Sequence, residues 1–130
     1  MENKYNGYES LMAYQKAWKL ANELFVLSKS FPAEEKHSLT DQVRRSSRSV
    51  CTNIGEGYRK RRYPKHFISK MTDADGEMTE TQIWINFALE CKYITAKKYD
   101  ELSDQAMQAG KLIGFMIDHP EKFGCPPSKE

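Results

Sequence analysis

The chain has 130 residues, of which 39% are hydrophobic and 29% are charged, as expected for one globular domain. Its net charge is +2, no apolar run approaches the roughly 18 residues of a membrane span, and residues 1–5 lack the apolar core of a signal peptide, so we expect a cytoplasmic protein without membrane contact. Three widely spaced cysteines argue against a disulfide scaffold or a cysteine-based zinc site: Cys51, Cys91 and Cys125.

The first predicted helix follows a polar lead-in, residues 1–9, which we expect to be flexible. Ser10 is placed to cap the helix, and Pro32 lies beyond its end because a residue that precedes proline disfavours the helical region. Apolar residues recur every three or four positions in this segment, which predicts an amphipathic helix. They are Leu11, Tyr14, Ala17, Trp18, Ala21, Leu24, Phe25 and Leu27.

The second predicted helix has Ser38 or Thr40 at its start. Two glycines near its end each weaken a helix by about 1 kcal/mol relative to alanine, so we expect it to end between Gly57 and Tyr63. Its apolar stripe is thin and consists of Leu39, Val43, Val50, Ile54 and Tyr58.

The third predicted helix has Pro64 in its first turn, where proline is well tolerated. Its second half is apolar on more than one side, so the helix is either central to the bundle or covered by another subunit. We expect the subunit contact, with Trp84 and Phe87 as the candidate residues. One face carries the predicted core residues Phe67, Met71, Ala74, Met78, Thr81, Ile85 and Leu89.

The fourth predicted helix begins after Thr95, a plausible cap, and ends near Pro120. Its apolar stripe consists of Tyr99, Leu102, Ala106, Ala109, Ile113, Met116 and Ile117. No segment alternates like a strand, and short connections make successive helices antiparallel. We therefore predict an all-α fold, an up-down-up-down four-helix bundle over residues 10–119, followed by an irregular tail over residues 120–130. The predicted core includes Leu24, Val50, Ile54, Met78, Ile85 and Ile113.

Positive charge is concentrated where the second predicted helix meets the third. Cationic side chains can neutralise phosphates, and aromatic rings can stack on unpaired bases. The pattern leaves two interpretations open, a nucleic-acid-binding site and a solvated surface. The residues concerned are Arg59, Lys60, Arg61, Arg62 and Lys65, with Tyr58 and Tyr63 beside them.

Other polar residues of the second helix are expected to have structural roles. We expect Arg44 and Arg45 to pair with acidic residues of the third helix, among them Glu80. Asn53 and Glu56 lie beside a predicted core position, and we expect them to tie the second helix to a neighbour because buried polar groups need hydrogen-bond partners.

Enzyme chemistry finds little support in the residue pattern. A di-iron bundle needs two Glu-x-x-His motifs on different helices, whereas this chain has one such spacing, Glu34 to His37, in a connector. Cys51 has no histidine near it in sequence and is interpreted as a small core residue. We therefore predict no catalytic residue, no metal and no cofactor.

Two stretches of the second helix carry a family resemblance: the segment Gln42-Val43-Arg44-Arg45-Ser46 and the segment Asn53-Ile54-Gly55-Glu56-Gly57. With the motifs at residues 14–18 and 80–82, they resemble the four-helix-bundle proteins encoded in intervening sequences of bacterial 23S ribosomal RNA genes. That family includes the accessory variability protein of diversity-generating retroelements.

The resemblance implies an up-down-up-down bundle that assembles as a homopentamer with a basic surface. It also implies possible partners, because the retroelement member binds a reverse transcriptase and nucleic acid. The leading hypothesis is a non-enzymatic oligomeric protein that binds RNA, DNA or a nucleic-acid enzyme. The alternatives are a self-assembling scaffold that binds only protein partners and, with less support, a metal-dependent bundle enzyme.

Overall fold

The computed structural model describes residues 7–127, and four α-helices account for most of that range. The helices are α1 (Met12–Ser28), α2 (Leu39–Arg59), α3 (Pro64–Glu90) and α4 (Ala96–Asp118). Helix α1 packs on α2 and α4, and α3 packs on the same two helices. The described residues contain no strand, and the predicted all-α four-helix bundle is confirmed.

The core of the bundle contains all six residues singled out from the sequence. Ile54 and Ile113 are completely inaccessible to solvent, and the other four are at most 5% exposed. On α3 the register differs slightly from the prediction at the end of the helix, where Ala88 is buried and Leu89 is only half-buried.

Helices α2 and α3 approach closely because small residues line their contact. A Cβ atom at Gly57 would lie 2.8 Å from Met71 Cε and 2.9 Å from Lys70 Cβ, so any side chain at this position would displace α3. Farther along, the buried hydroxyls of Ser46 and Thr81 lie 2.8 Å apart. Since Thr81 Oγ1 donates to the backbone of its own helix, Ser46 is the donor to Thr81.

Three predicted helix boundaries are confirmed. Helix α2 ends at Arg59, inside the expected window, and Pro64 is the first residue of α3. Thr95 caps α4, since its hydroxyl oxygen accepts a hydrogen bond from the Lys98 backbone amide at 3.1 Å.

Two predicted caps are wrong. Ser10 lies in a short 3₁₀ helix (Tyr8–Ser10), where its hydroxyl donates to the Gly7 carbonyl, and α1 begins at Met12. Ser38 precedes α2 but makes no capping bond, because its hydroxyl donates to Glu35 Oε1 at 2.7 Å. The same Glu35 oxygen accepts from the Leu39 backbone amide at 3.2 Å and so takes the capping role.

Both ends of the bundle extend beyond the predicted limits. Tyr8, placed by the sequence in a flexible lead-in, packs its ring against Tyr14 and over Gly55. The predicted irregular tail begins with a 3₁₀ helix (Pro120–Phe123), and Cys125 is buried. The remainder of both predicted segments, residues 1–6 and 128–130, lies outside the described residues. Within residues 7–127, no helix has the length and apolarity needed to cross a membrane.

Candidate nucleic-acid interface

Four of the five predicted cations form an exposed cluster where α2 ends and α3 begins. This basic corner consists of Arg59, Lys60, Arg62 and Lys65, all of them exposed. Within residues 7–127, no carboxylate lies within ion-pair distance of any of the four. Among the described residues, these four cations therefore have no acidic partner to offset their charge.

Arg61, the fifth predicted cation, has a different role. Its Nε donates to the Tyr58 carbonyl at 2.8 Å, and its Nη1 donates to the Phe123 carbonyl at 3.1 Å. Its guanidinium carbon also lies 3.7 Å from the centroid of the Tyr58 ring, a cation–π contact. Arg61 thus connects the segment after α4 to the α2–α3 corner, and its contact with nucleic acid stays a prediction.

A groove between α1 and α2 begins at the basic corner and runs along the bundle. This α1–α2 groove has a volume of about 570 Å³ and contains Arg59 at one end and Arg48 at the other. The aromatic rings of Tyr8, Tyr14 and Trp18 form one wall. The sequence identifies Tyr14 and Trp18 only as members of an apolar stripe, whereas Trp18 is 56% exposed.

The three rings of the aromatic wall contact one another in series, Tyr8 against Tyr14 and Tyr14 against Trp18. The Tyr14 and Trp18 rings are stacked with centroids 6.0 Å apart and planes inclined by 26°. Tyr8 meets Tyr14 edge-on at 5.1 Å. Partial burial raises the pKa of the Tyr14 hydroxyl above its ordinary value, with smaller contributions from nearby Cys51 and Tyr8. The wall is therefore half-buried at Tyr14 and exposed to solvent at Trp18.

Cations also surround Phe25, farther along the same side of the bundle. The guanidinium carbons of Arg44 and Arg48 lie 4.6 and 5.1 Å from the Phe25 ring centroid, and Lys29 Nζ lies 4.9 Å from it. Arg44 Nε donates to Ser28 Oγ at 2.7 Å, so Arg44 packs on α1. The expectation that Arg44 pairs with an acidic residue of α3 is therefore wrong.

Arg45 makes the expected contact with α3. Its guanidinium donates to Glu77 Oε1 at 3.3 Å and forms a second bond with Glu80 Oε2. Trp84 Nε1 also donates to Glu80, at 3.0 Å. The Arg45 bond and then the Trp84 bond lower the pKa of the Glu80 carboxyl, because both stabilise its ionised form.

Lys70 of α3 contacts the polar pair near the end of α2. Its Nζ lies 2.8 Å from Glu56 Oε1 and 3.5 Å from Asn53 Oδ1. The bond to Glu56 raises the pKa of Lys70 above its ordinary value. Glu56 also borders the α1–α2 groove, so Lys70 offsets the negative charge beside the groove.

Acidic residues gather on the opposite side of α2. Asp73, Glu77 and Glu80 border a shallow depression with Asn53, but Glu77 and Glu80 are engaged by Arg45. In the part of the chain that the structure describes, no three His, Cys, Asp or Glu side chains are grouped to hold a metal ion. Cys51 lies at the α1–α2 groove but is buried, and burial raises the pKa of its thiol to about 11, which disfavours the thiolate at neutral pH.

The two predicted subunit contacts differ in exposure. Phe87 is 51% exposed on the outer side of α3, next to Ile83, which is 45% exposed. Trp84 is half-buried, and its indole nitrogen donates to Glu80 of the same helix. Phe87 and Ile83 are thus the more accessible apolar pair on this helix, and their coverage by another subunit stays a prediction.

Comparisons with known proteins identify a matching family model and a similar solved structure. The model of the family described as 23S rRNA-intervening sequence protein matches residues 9–114. A solved structure of a protein of unknown function from the S23 ribosomal protein family of Bacteroides thetaiotaomicron is similar, with 25% sequence identity and a TM-score of 0.73. The match covers 82% of this chain and 95% of that one. No functionally curated protein matches the chain.

Proposed function

Because the chain belongs to the 23S rRNA-intervening sequence protein family, whose biochemical role is not established, we propose a function from its surface: it is a non-enzymatic binding protein that engages nucleic acid. The observation that carries the proposal is the basic corner. Its four exposed cations have no acidic partner within residues 7–127, so they are available to phosphate groups. Each phosphate neutralised releases counterions, which favours binding at low salt.

The distribution of charge supports the same proposal. The net charge is only +2, yet the cations of the basic corner and the arginines of the α1–α2 side are separated from the acidic depression beside α3. A surface divided in this way produces a directional field that attracts a polyanion to one side and orients it there.

Assembly would strengthen a weak site. We expect copies of the chain to associate through the outer side of α3. The family resemblance makes a homopentamer the expected assembly. Repetition of the basic corner around a ring would let one nucleic-acid strand contact several sites, and avidity would then exceed the affinity of one corner. A nucleic-acid enzyme such as a reverse transcriptase is a further candidate partner.

The test removes three charges of the basic corner and leaves Arg61 and the groove residue Arg59 in place. The variant carries Lys60→Gln, Arg62→Gln and Lys65→Gln. The matched control carries Lys36→Gln, Lys97→Gln and Lys111→Gln, three exposed lysines elsewhere on the bundle. Labelled RNA and DNA are titrated against both variants and wild type at several salt concentrations.

We expect the affinity of wild type and of the control to fall steeply with salt. For a single strand, the slope of log affinity against log salt should become shallower by about 0.7 for each phosphate that the basic-corner variant no longer neutralises. Absence of salt-sensitive binding by wild type, or equal binding by the two triple variants, would contradict the proposal.

The exposed pair Ile83 and Phe87 favours a second candidate function, a scaffold that binds only itself and other proteins. This alternative predicts a stable oligomer without measurable affinity for RNA or DNA at low salt. Light scattering and the titration above separate the two functions.

A further inference from the structure

The exposed Trp18 ring is the least expected feature of the α1–α2 groove. An aromatic side chain on the surface of a helix usually buries most of its area, yet Trp18 is 56% exposed. It is also rigidly supported, because Tyr14 stacks against it and Tyr8 packs edge-on against Tyr14. Such a supported ring offers a preformed platform with little conformational entropy left to lose on binding.

Cations flank this platform. Arg48 and Arg59 are 11 residues apart on α2, which separates them by about 16 Å along the helix axis. Both border the groove, and neither has a carboxylate within ion-pair distance among the described residues. The one acidic side chain on the groove, Glu56, is bound by Lys70.

The size of the groove suits a small planar group. Its volume of about 570 Å³ lies within the range of about 300–1,000 Å³ that is typical of ligand sites. An aromatic platform flanked by positive charges complements a base that stacks on the ring while its adjoining phosphates contact the arginines. A purely apolar partner would leave those arginines without a counter-charge.

We propose that the α1–α2 groove is a base-stacking site, through which the protein prefers single-stranded to duplex nucleic acid. This inference rests on the proposed function and adds a substrate class to it. The exposed basic corner contacts phosphates of either form, but the bases of a duplex are paired and stacked on one another. An unpaired base, by contrast, can unstack from its neighbours and lie on the Trp18 ring without breaking a base pair.

The central variant is Trp18→Leu, which removes the ring and keeps an apolar side chain. Phe115→Leu is the matched control, because Phe115 is an exposed aromatic residue on α4, outside the groove. Trp18→Phe is the second variant, because it retains an aromatic ring at this position. It keeps the proposal testable if the leucine variant fails to fold. Circular dichroism verifies the helical content of each protein.

The probes are a labelled single-stranded oligoadenylate and a duplex of the same length, each titrated by fluorescence anisotropy. Stacking on one aromatic residue contributes enough that Trp18→Leu should weaken single-strand binding about 5- to 150-fold. Duplex binding should be unchanged, the Phe115→Leu control should match wild type, and Trp18→Phe should retain most of the single-strand preference.

A spectroscopic readout reports contact with the ring itself. In a Trp84→Phe background, Trp18 is the only tryptophan of the chain, and single-strand binding should quench its fluorescence. Equal affinity of wild type for both probes, or an unchanged single-strand affinity of Trp18→Leu, would overturn the base-stacking site and leave the proposed function standing. Failure of wild type to bind either probe would overturn the proposed function and this inference with it.

Discussion

Ile54 lies at the centre of the bundle and is completely buried. Its truncation in Ile54→Ala leaves a cavity that close-packed helices fill only in part, so we expect a loss of about 2–5 kcal/mol in the free energy of unfolding. Urea denaturation at a fixed protein concentration measures the loss. Val26→Ala is the control, because Val26 is 64% exposed and its truncation should change stability by less than about 0.5 kcal/mol. Wild-type stability of Ile54→Ala would contradict the assigned core.

Glu35 couples the start of α2 to the connector after α3. Its carboxylate accepts hydrogen bonds from Ser38, from the Tyr93 hydroxyl at 2.8 Å and from the Leu39 amide. The bond from Ser38, followed by that from Tyr93, lowers the pKa of Glu35 below its ordinary value of 4.5. This carboxylate therefore contributes stability above the ordinary pKa, which is lost as the pH falls through the lowered value in the folded protein.

The variant Tyr93→Phe tests this coupling. Loss of the hydroxyl should move the pKa of Glu35 up towards 4.5 and reduce stability at neutral pH, because the carboxylate loses a hydrogen bond that stabilises its ionised form. It should also lessen the loss of stability on acidification. An NMR titration of the Glu35 side chain, with urea unfolding at pH 7 and pH 4, gives both quantities. An unchanged Glu35 titration would show that the Tyr93 bond does not form.

Single residues also mark the limit of what the sequence predicts. Arg44 and Arg45 are neighbours in the chain but about 100° apart around α2, so one packs on α1 and the other binds acidic residues of α3. The basic run is visible in the sequence, whereas the separate use of Arg61 depends on the Phe123 carbonyl, 62 residues away. Contacts of this kind follow from tertiary packing and leave no local signal.

At the scale of elements, Arg61 connects the α2–α3 corner to the segment after α4. Replacement by Arg61→Gln removes the bond to Phe123 and the contact with the Tyr58 ring. We expect residues 120–125 to exchange amide hydrogen faster and Cys125, now buried, to react more readily with a thiol reagent.

The thiol measurement uses a Cys91→Ser background, because Cys91 is exposed and would react in every variant. Arg62→Gln is the matched control, since the adjacent Arg62 is exposed and has no ion pair among the described residues. Equal Cys125 reactivity in the two variants would contradict the proposal that Arg61 holds the segment after α4 against the α2–α3 corner.

Helices were easier to predict than connectors for a physical reason. The 3.6-residue period of the apolar residues repeats over several turns in α1, α3 and α4, and Pro64 and Thr95 mark starts by local rules. The cap of α2 is Glu35, which reaches the helix only because a 3₁₀ helix (Ala33–Glu35) turns it back. The sequence does not predict the site formed by the aromatic wall, because the wall becomes a candidate binding site only beside Arg48, which lies on a different helix.

At the scale of the whole molecule, the bundle presents unlike sides. Cations and aromatic rings occupy the α1–α2 side and the basic corner, whereas Asp73 and its acidic neighbours lie on α3. The exposed apolar pair Ile83 and Phe87 is also on α3. We therefore expect assembly through α3 to leave the cationic side open to a ligand.

Assembly is tested by polar substitution of the apolar pair. The double variant Ile83→Ser, Phe87→Ser should form smaller species than wild type, because the apolar area available to a second subunit is reduced. Light scattering at micromolar concentration measures the mass. Val26→Ser, on exposed α1 surface, should leave the mass unchanged. A monomeric wild type would contradict the expected oligomer.

Ultraviolet crosslinking of wild type to single-stranded RNA, followed by mass spectrometry of the crosslinked peptides, tests the nucleic-acid proposal most directly. The basic corner and the α1–α2 groove predict crosslinks in peptides that contain Trp18 and in peptides from residues 48–65. Crosslinks confined to α4 or the outer side of α3, or no crosslinks at low salt, would contradict the account.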